Sequence, residues 1–271
     1  MLLGGFDGLH AGHRLLLSYA KNSGLPVGIM TIIGGKGEKS LFTASERESI
    51  FKESGIDFVF ELPFSEIKDL SPEQFMRLLE KECKPKLFVC GEDFRFGAGA
   101  KGTPEIIKTK GQVRVEIQPL LKINNEKVSS TTVKQYVGSG DIKTANALLG
   151  APFFLQGEVV SGRQVGRDIG FPTANVAYPQ EKFPLKVGVY QTEIKVDGRT
   201  YKGITNYGAR PTFDNAEVWT ETHLIGYEGD LYGKILRVNF INYIRDVKKF
   251  DSVSALQKQL EEDKRSVTKD D

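Results

Sequence analysis

Up to about residue 150, short apolar runs alternate with stretches whose apolar positions recur every three or four residues; beyond Phe153 the pattern becomes apolar–polar alternation broken by turn signals. The first texture is that of βα units around a mainly parallel, doubly wound sheet, and the second is that of antiparallel strands forming a small barrel. Strands are predicted at Met1 to Leu3, Val27 to Ile33, Phe58 to Leu62, Leu87 to Cys90 and Val113 to Ile117. Two helix starts are legible between them: Thr43 with Glu46 reads as a capping box, and Ser71 before Pro72 puts an N-cap ahead of proline at the first helical position. Short helices follow over Thr131 to Val137 and Ile142 to Leu149, and Gly150, Ala151 and Pro152 then interrupt the pattern. The expected boundary falls there, giving domains 1–150 and 151–271. In the second, Asp197-Gly198 between YQTEIKV and RTYKGIT is a hairpin signature. Asp251 and Ser252 open a terminal helix that spaces Val253, Leu256 and Leu260 along the face expected to pack on the barrel, and the closing KDD is expected to fray.

Composition narrows the partners. The 271 residues suffice for two modest cores, and 37 Lys plus Arg against 35 Asp plus Glu leave a formal net charge of +2. Such a balance supplies no field for a nucleic-acid backbone or an anionic bilayer, so small molecules are the expected partners. Cys83 and Cys90 make no disulfide framework and no metal-ligand spacing; they read as buried free thiols in a reducing compartment. MLLGGFDG has no basic segment followed by an apolar stretch, and no apolar run approaches bilayer length, so a soluble cytoplasmic protein is expected.

The first candidate site is GGFDGLHAGH, Gly4 to His13, where the first strand should end and the first helix begin. Ligands of open α/β sheets bind at such strand ends. Gly4, Gly5, Gly8 and Gly12 permit close approach of backbone to phosphate, the helix start offers unpaired N–H groups, and His10 and His13 add donors directed at the same place. Such a site can hold ATP phosphates and stabilise transition-state charge without supplying a nucleophile. The plainer alternatives are a turn whose histidines only cap, or zinc, although the spacing is not HExxH and only His223 remains elsewhere. CGEDFRFGAGAKG, Cys90 to Gly102, suits a loop receiving an aromatic ring and a phosphate, and VSSTTVK, Val128 to Lys134, offers hydroxyls at a helix start; either can equally be an ordinary turn or cap.

The second candidate site is GRQVGRDIGFPTAN, Gly162 to Asn175. Its basic glycine loop can fold over polyphosphate while Thr173 and Asn175 oxygens hold Mg²⁺, a hard cation that keeps waters and substrate phosphates. Glu221, in WTETHLIG on a later strand, is a candidate base for a hydroxyl attacking a γ-phosphate, or a solvated strand residue. GGKGEKS, Gly34 to Ser40, is no Walker loop, because Glu38 stands where glycine must precede the lysine.

Taken together, GGFDGLHAGH, GEDFRFG, VSST, GDIKTANALLG, GRDIGFPTAN, NYGARPTF, ETHL, DLYG and IRDVKKF resemble, in order and spacing, the prokaryotic bifunctional riboflavin kinase/FAD synthetases over nearly the whole chain. The resemblance implies an α/β plus β protein: a Rossmann-like nucleotidyltransferase domain followed by a riboflavin kinase-like barrel with a terminal helix. It implies ATP-dependent phosphorylation of riboflavin to FMN, then adenylation of FMN to FAD, both with Mg²⁺. His10 and His13 would bind ATP phosphates, with Gly5, Phe6, Asp7, Gly12, Asp93, Phe94, Ser130, Thr131 and Lys134 around them. Thr173 and Asn175 would bind Mg²⁺ and ATP with Gly166 and Arg167 in the covering loop, Glu221 would be the kinase base, and Arg210 and Arg245 would contact flavin or phosphate. Partners would be ATP, riboflavin and FMN, with no nucleic acid or membrane and at most weak self-association.

Two departures lie in the first half: TIIGGKGEK stands where the family has a Phe and a His between prolines, and Lys134 stands where it has arginine. Lysine keeps the charge but lacks the bidentate fork. These touch the rate of adenylyl transfer and leave the kinase intact. The rival readings are a kinase whose first domain is only a scaffold, and a flavin-responsive regulator without turnover.

Overall fold

The computed structural model describes residues 1–34, 39–162, 169–210 and 217–269, with the Arg210 side chain outside that set. Gly166, Arg167, most of the GGKGEKS segment and the last two residues therefore lie outside the described residues. Contacts divide the chain into two units, Met1–Thr132 and Val133–Asp271.

In the first unit α1 (Ala11–Asn22), β1 (Gly28–Ile33), α2 (Ala44–Glu53), β2 (Phe58–Pro63), α3 (Phe64–Ile67), α4 (Pro72–Cys83), β3 (Leu87–Gly91), α5 (Pro104–Lys110) and β4 (Arg114–Gln118) are followed by a short hairpin, β5 (Lys122–Ile123) and β6 (Glu126–Lys127). β1 pairs with β2 and β3 with β4, all parallel, and Leu2 bridges to both Ile29 and Val89. The spatial order is thus β2, β1, Leu2, β3, β4, so the chain's first extended residues lie at the centre and the order reverses on either side of them. The expected strand at Met1 to Leu3 is reduced to one bridging residue, because Gly4 and Gly5 lead into Phe6 at φ 38, which turns the chain out of the sheet. Both expected helix starts are present: Thr43 with Glu46 and Ser71 with Gln74 make reciprocal capping bonds. Leu3, Met30, Phe75, Leu79 and Phe88 form the core under the sheet. Of the two free cysteines, Cys90 is buried there and Cys83 only half-buried.

α6 (Ser130–Ser139) spans the junction, and α7 (Ile142–Leu149) leads into β7 (Phe153–Glu158), β8 (Ala174–Ala177), β9 (Gly188–Val196), β10 (Arg199–Arg210), β11 (Glu217–Leu224), β12 (Ile235–Arg245) and α8 (Val253–Thr268). The strands form one six-stranded antiparallel sheet in the order β7, β12, β9, β10, β11, β8. Beyond β7, Val160 N donates to Asn175 O on β8 at 2.9 Å, bringing the two edges together into a nearly closed barrel. The β9–β10 hairpin turns on Asp197 and Gly198, both at positive φ, as that dipeptide requires. Inside the barrel Thr205 Oγ1 lies 2.8 Å from Thr192 Oγ1 and 2.9 Å from Thr222 Oγ1, a row of three buried hydroxyls. Gly203 makes the space for it, since a Cβ there would stand 2.7 Å from Thr192 Oγ1.

Two devices tie helices to this barrel. Asn146 of α7 donates to Phe240 O at 2.8 Å and accepts from Phe153 N at 2.7 Å. Arg245 on β12 grips Asp263 of α8 through Nε at 2.9 Å and Nη2 at 2.6 Å, with Asp263 only 2% exposed. α8 is capped by Ser252, as the sequence predicts, but its buried residues are Asp263 and Val267; Val253, expected on the packed face, is 59% exposed.

Candidate active sites

The segment leaving Leu3 at the centre of the parallel sheet reaches α1 through a turn that only particular residues allow. Gly8 sits at φ 144 with its α-carbon against Phe42, where a Cβ would lie 2.6 Å from the ring. Asp7 Oδ1 accepts from Leu41 N at 2.9 Å, and the buried Phe6 ring packs 4.4 Å from that of His13. His10 caps α1: its Nδ1 accepts from His13 N at 3.2 Å. His13 Nδ1 lies 2.9 Å from Gly8 O, and the two imidazoles stack with centroids 3.5 Å apart and planes 15° from parallel.

These bonds assign the tautomers. A carbonyl can only accept, so His13 Nδ1 carries a proton and its Nε2 is bare when the ring is neutral; His10 Nδ1 accepts, so its proton is on Nε2. Both rings are neutral at pH 7: burial lowers the His10 pKa to about 4, and burial followed by the neighbouring His10 holds His13 well below its ordinary value.

Gly5, His10, Gly12, His13, Asp93 and Phe94 all line one cavity of about 360 Å³, whose far wall is Leu120, Leu121, Val128 and Ser129. With Gly4, which also lines it, seven of the residues singled out in sequence thus converge. Phe6 and Asp7 shape the turn behind it. Ser130 and Thr131 follow on α6 but are not among its walls; Ser129, part of the VSSTTVK string but not singled out in it, lines the cavity and accepts from Thr132 N at 3.2 Å. Lys134 falls in the second unit, its Nζ 5.9 Å from the centre of the Phe183 ring. A second cavity of about 380 Å³ shares Ile32, Phe94 and Arg95 with the first and is otherwise largely apolar, lined by Met30, Phe64, Phe75 and Phe96. Lys127, also missed, donates to Asp93 Oδ2 at 2.6 Å; the Asn124-Asn125 turn before it is the signal that could have placed it on a hairpin.

In the barrel, Glu221 on β11 is the register partner of Asn175 on β8. Directly paired residues project to the same face, so the carboxylate and the amide stand side by side. Alternation puts Thr220 and Thr222 inside and Glu221 and His223 outside. Asn175 is 4% exposed and donates to Thr173 O at 3.4 Å; Thr173 and Asn175 line a cavity of about 610 Å³ with Tyr227, Glu228, Asp230 and Tyr232. His223 Nδ1 lies 3.0 Å from Pro172 O and its ring 5.0 Å from that of Phe171, anchoring the start of this segment. Glu221 is beside Asn175 but is not among the walls of the cavity. The Arg245 fork is taken by Asp263, and its Nη1 donates to Asp246 O at 3.1 Å.

A doubly wound α/β unit with a histidine-lined cavity at its switch point, followed by a small antiparallel barrel carrying a hydroxyl and an amide on one cavity and a carboxylate paired with the amide, defines a two-unit nucleotide-dependent transferase. Residues 1–132 match the FAD synthetase family model and residues 149–270 the riboflavin kinase model. The chain is 31% identical over 283 residues to the Bacillus subtilis protein named bifunctional riboflavin kinase/FMN adenylyltransferase, covering 97% of this chain and 90% of that one. The protein of the same name from Escherichia coli K12 is 33% identical over 281 residues, with the same coverage. A crystal structure from Streptococcus pneumoniae, described as a macrolide-efflux protein, superposes with a TM-score of 0.89 at 32% identity, covering 99% of this chain and 93% of that one. The chain belongs to the bifunctional riboflavin kinase/FMN adenylyltransferase family.

Proposed function

We propose that this chain makes FMN from riboflavin and ATP in its barrel unit, and FAD from FMN and a second ATP in its α/β unit. The observation that carries the reading is the presence, in separate units of one chain, of the two polar arrangements these transfers call for: the stacked histidines at the switch-point cavity and the Asn175–Glu221 pair.

In the first transfer a riboflavin hydroxyl attacks the γ-phosphorus of ATP. Glu221 takes the hydroxyl proton, and ADP leaves. Thr173 and Asn175 provide neutral oxygen donors at a cavity with Glu228 and Asp230 on its wall, a hard-oxygen set that fits Mg²⁺. Thr173 and Asn175 would hold the cation, whose charge would offset that of the phosphates when both are bound.

In the second transfer an FMN phosphate oxygen attacks the α-phosphorus of ATP and diphosphate leaves. No protein nucleophile is needed, so the work of the site is alignment and charge stabilisation, to which His10 Nε2–H and the backbone of the glycine turn contribute. The apolar cavity adjoining at Phe94 suits the flat flavin ring. The efflux description of the Streptococcus structure is not carried over: among the described residues no helix is long and apolar enough to cross a membrane, while family models match both units.

Incubation with riboflavin, ATP and Mg²⁺, followed by chromatography, tests the reading. FMN and then FAD should appear; FMN alone would leave only the kinase, and neither would leave a flavin-binding regulator.

A further inference from the structure

The adenylyl-transfer reading leaves the histidine cavity with a charge deficit. A triphosphate brings several negative charges, yet the stacked imidazoles, His10 buried and His13 half-buried, are uncharged, and of their two Nε2 atoms only that of His10 carries a proton. Arg95, also on the wall, commits Nη1 to the Phe94 carbonyl at 2.8 Å and the Glu92 carbonyl at 3.3 Å. Lys127 stands differently. It lies on β6 immediately before the cavity residues Val128 and Ser129, and its ammonium is 2.6 Å from Asp93, another cavity residue. Both side chains are nearly half exposed, so the pair is at the rim and exchanges partners at small cost. Lys127 and Asp93 are also both close enough for their charges to act on His10.

We propose that Lys127 is a phosphate-binding residue of the adenylyl-transfer site, and that Asp93 holds its ammonium at the rim until nucleotide phosphate displaces the carboxylate. The ammonium then moves from one oxygen anion to another on the same rim, and the β5–β6 hairpin carries it. This inference rests on the reading of the first unit as the adenylyltransferase.

The test is steady-state FAD formation from supplied FMN, with ATP varied, in the full-length protein. Lys127→Gln should raise the KM for ATP about tenfold or more, the loss of one charge-assisted contact, and Lys127→Arg should recover most of it. The KM for ATP in FMN formation by the same preparations should be unchanged. Asp93→Asn breaks the same ion pair but keeps the ammonium, so any rise in its KM for ATP in FAD formation should be well below that of Lys127→Gln. A wild-type KM in Lys127→Gln, or an equal rise in Lys127→Gln and Asp93→Asn, would overturn the proposal and reduce the pair to a hairpin fastener. Absence of FAD formation by the wild-type protein would instead remove the functional reading beneath it.

Discussion

At the scale of single residues, the histidine pair shows how a local motif sets both chemistry and stability. His10 is neutral in the folded chain because burial lowers its pKa to about 4 from an ordinary 6.5. Its folded pKa lies below its unfolded one, so between those values the unfolded chain binds the extra proton, and stability falls as pH drops from 6.5 toward 4. The loss attributable to His10 is on the order of 3 kcal/mol at the acid end. Thermal unfolding followed from pH 7 to pH 5 should show this decline, and His10→Asn should make it shallower, leaving the part that comes from His13. His10→Ala should lower FAD formation roughly 10²-fold while FMN formation is unchanged, the cost of removing one placed donor from a charge-stabilising site, and His13→Ala, which removes the ring stacked on His10, should lower it in the same direction. Glu221→Gln should do the converse: kcat for FMN formation should fall about 10²- to 10⁴-fold, with adenylation of supplied FMN and the melting temperature unchanged. Single-turnover FMN formation decides it, because a purely structural glutamate would lower both activities with the folded fraction. The histidines were legible in sequence because their hydrogen bonds run to residues no more than five positions away. Lys127 and Asp93 are 34 residues apart, and nothing local announces their meeting.

At the scale of elements, local signals were reliable where the interaction is itself local. The capping box at Thr43, the N-cap at Ser71 and the Asp197-Gly198 turn fall where the sequence put them. The terminal helix was legible as a helix but not in its packed face. Amphipathic spacing starts at Val253, yet what fixes the face is further along, where Val267 meets Val189 and Ile204 and Asp263 meets Arg245. A buried carboxylate 18 residues from its arginine leaves no periodic trace. Removing one partner of such a pair strands the other charge, so Asp263→Ala should destabilise the protein by about 3–5 kcal/mol, whereas replacing both partners with apolar residues of similar volume should cost far less. Urea unfolding of the two variants checks this. Loss of α8 docking in Asp263→Ala should also appear as faster amide exchange in that helix.

At the scale of the whole molecule, two textures in the sequence correspond to two structural units, and two family models match them, but where a minimal kinase begins is a separate matter. The sequence break falls at Gly150 to Pro152, while α7, just before it, buries Ile142, Ala145, Leu148 and Leu149 and splints β7 to β12 through Asn146. A fragment beginning near Asp141 should therefore fold and make FMN without FAD. One beginning at Ala151 should melt markedly lower, as read by circular dichroism with FMN yield measured alongside. The barrel in that fragment holds one more feature, the hydroxyl row of Thr192, Thr205 and Thr222 on three successive neighbouring strands. Each hydroxyl has a single proton, so the row is satisfied as a set, and replacing one member by valine leaves a buried neighbour short of a bond while replacing all three does not. Over a lineage, these three positions can be inherited together or exchanged together, and a single step between the two states passes through a weaker ancestor.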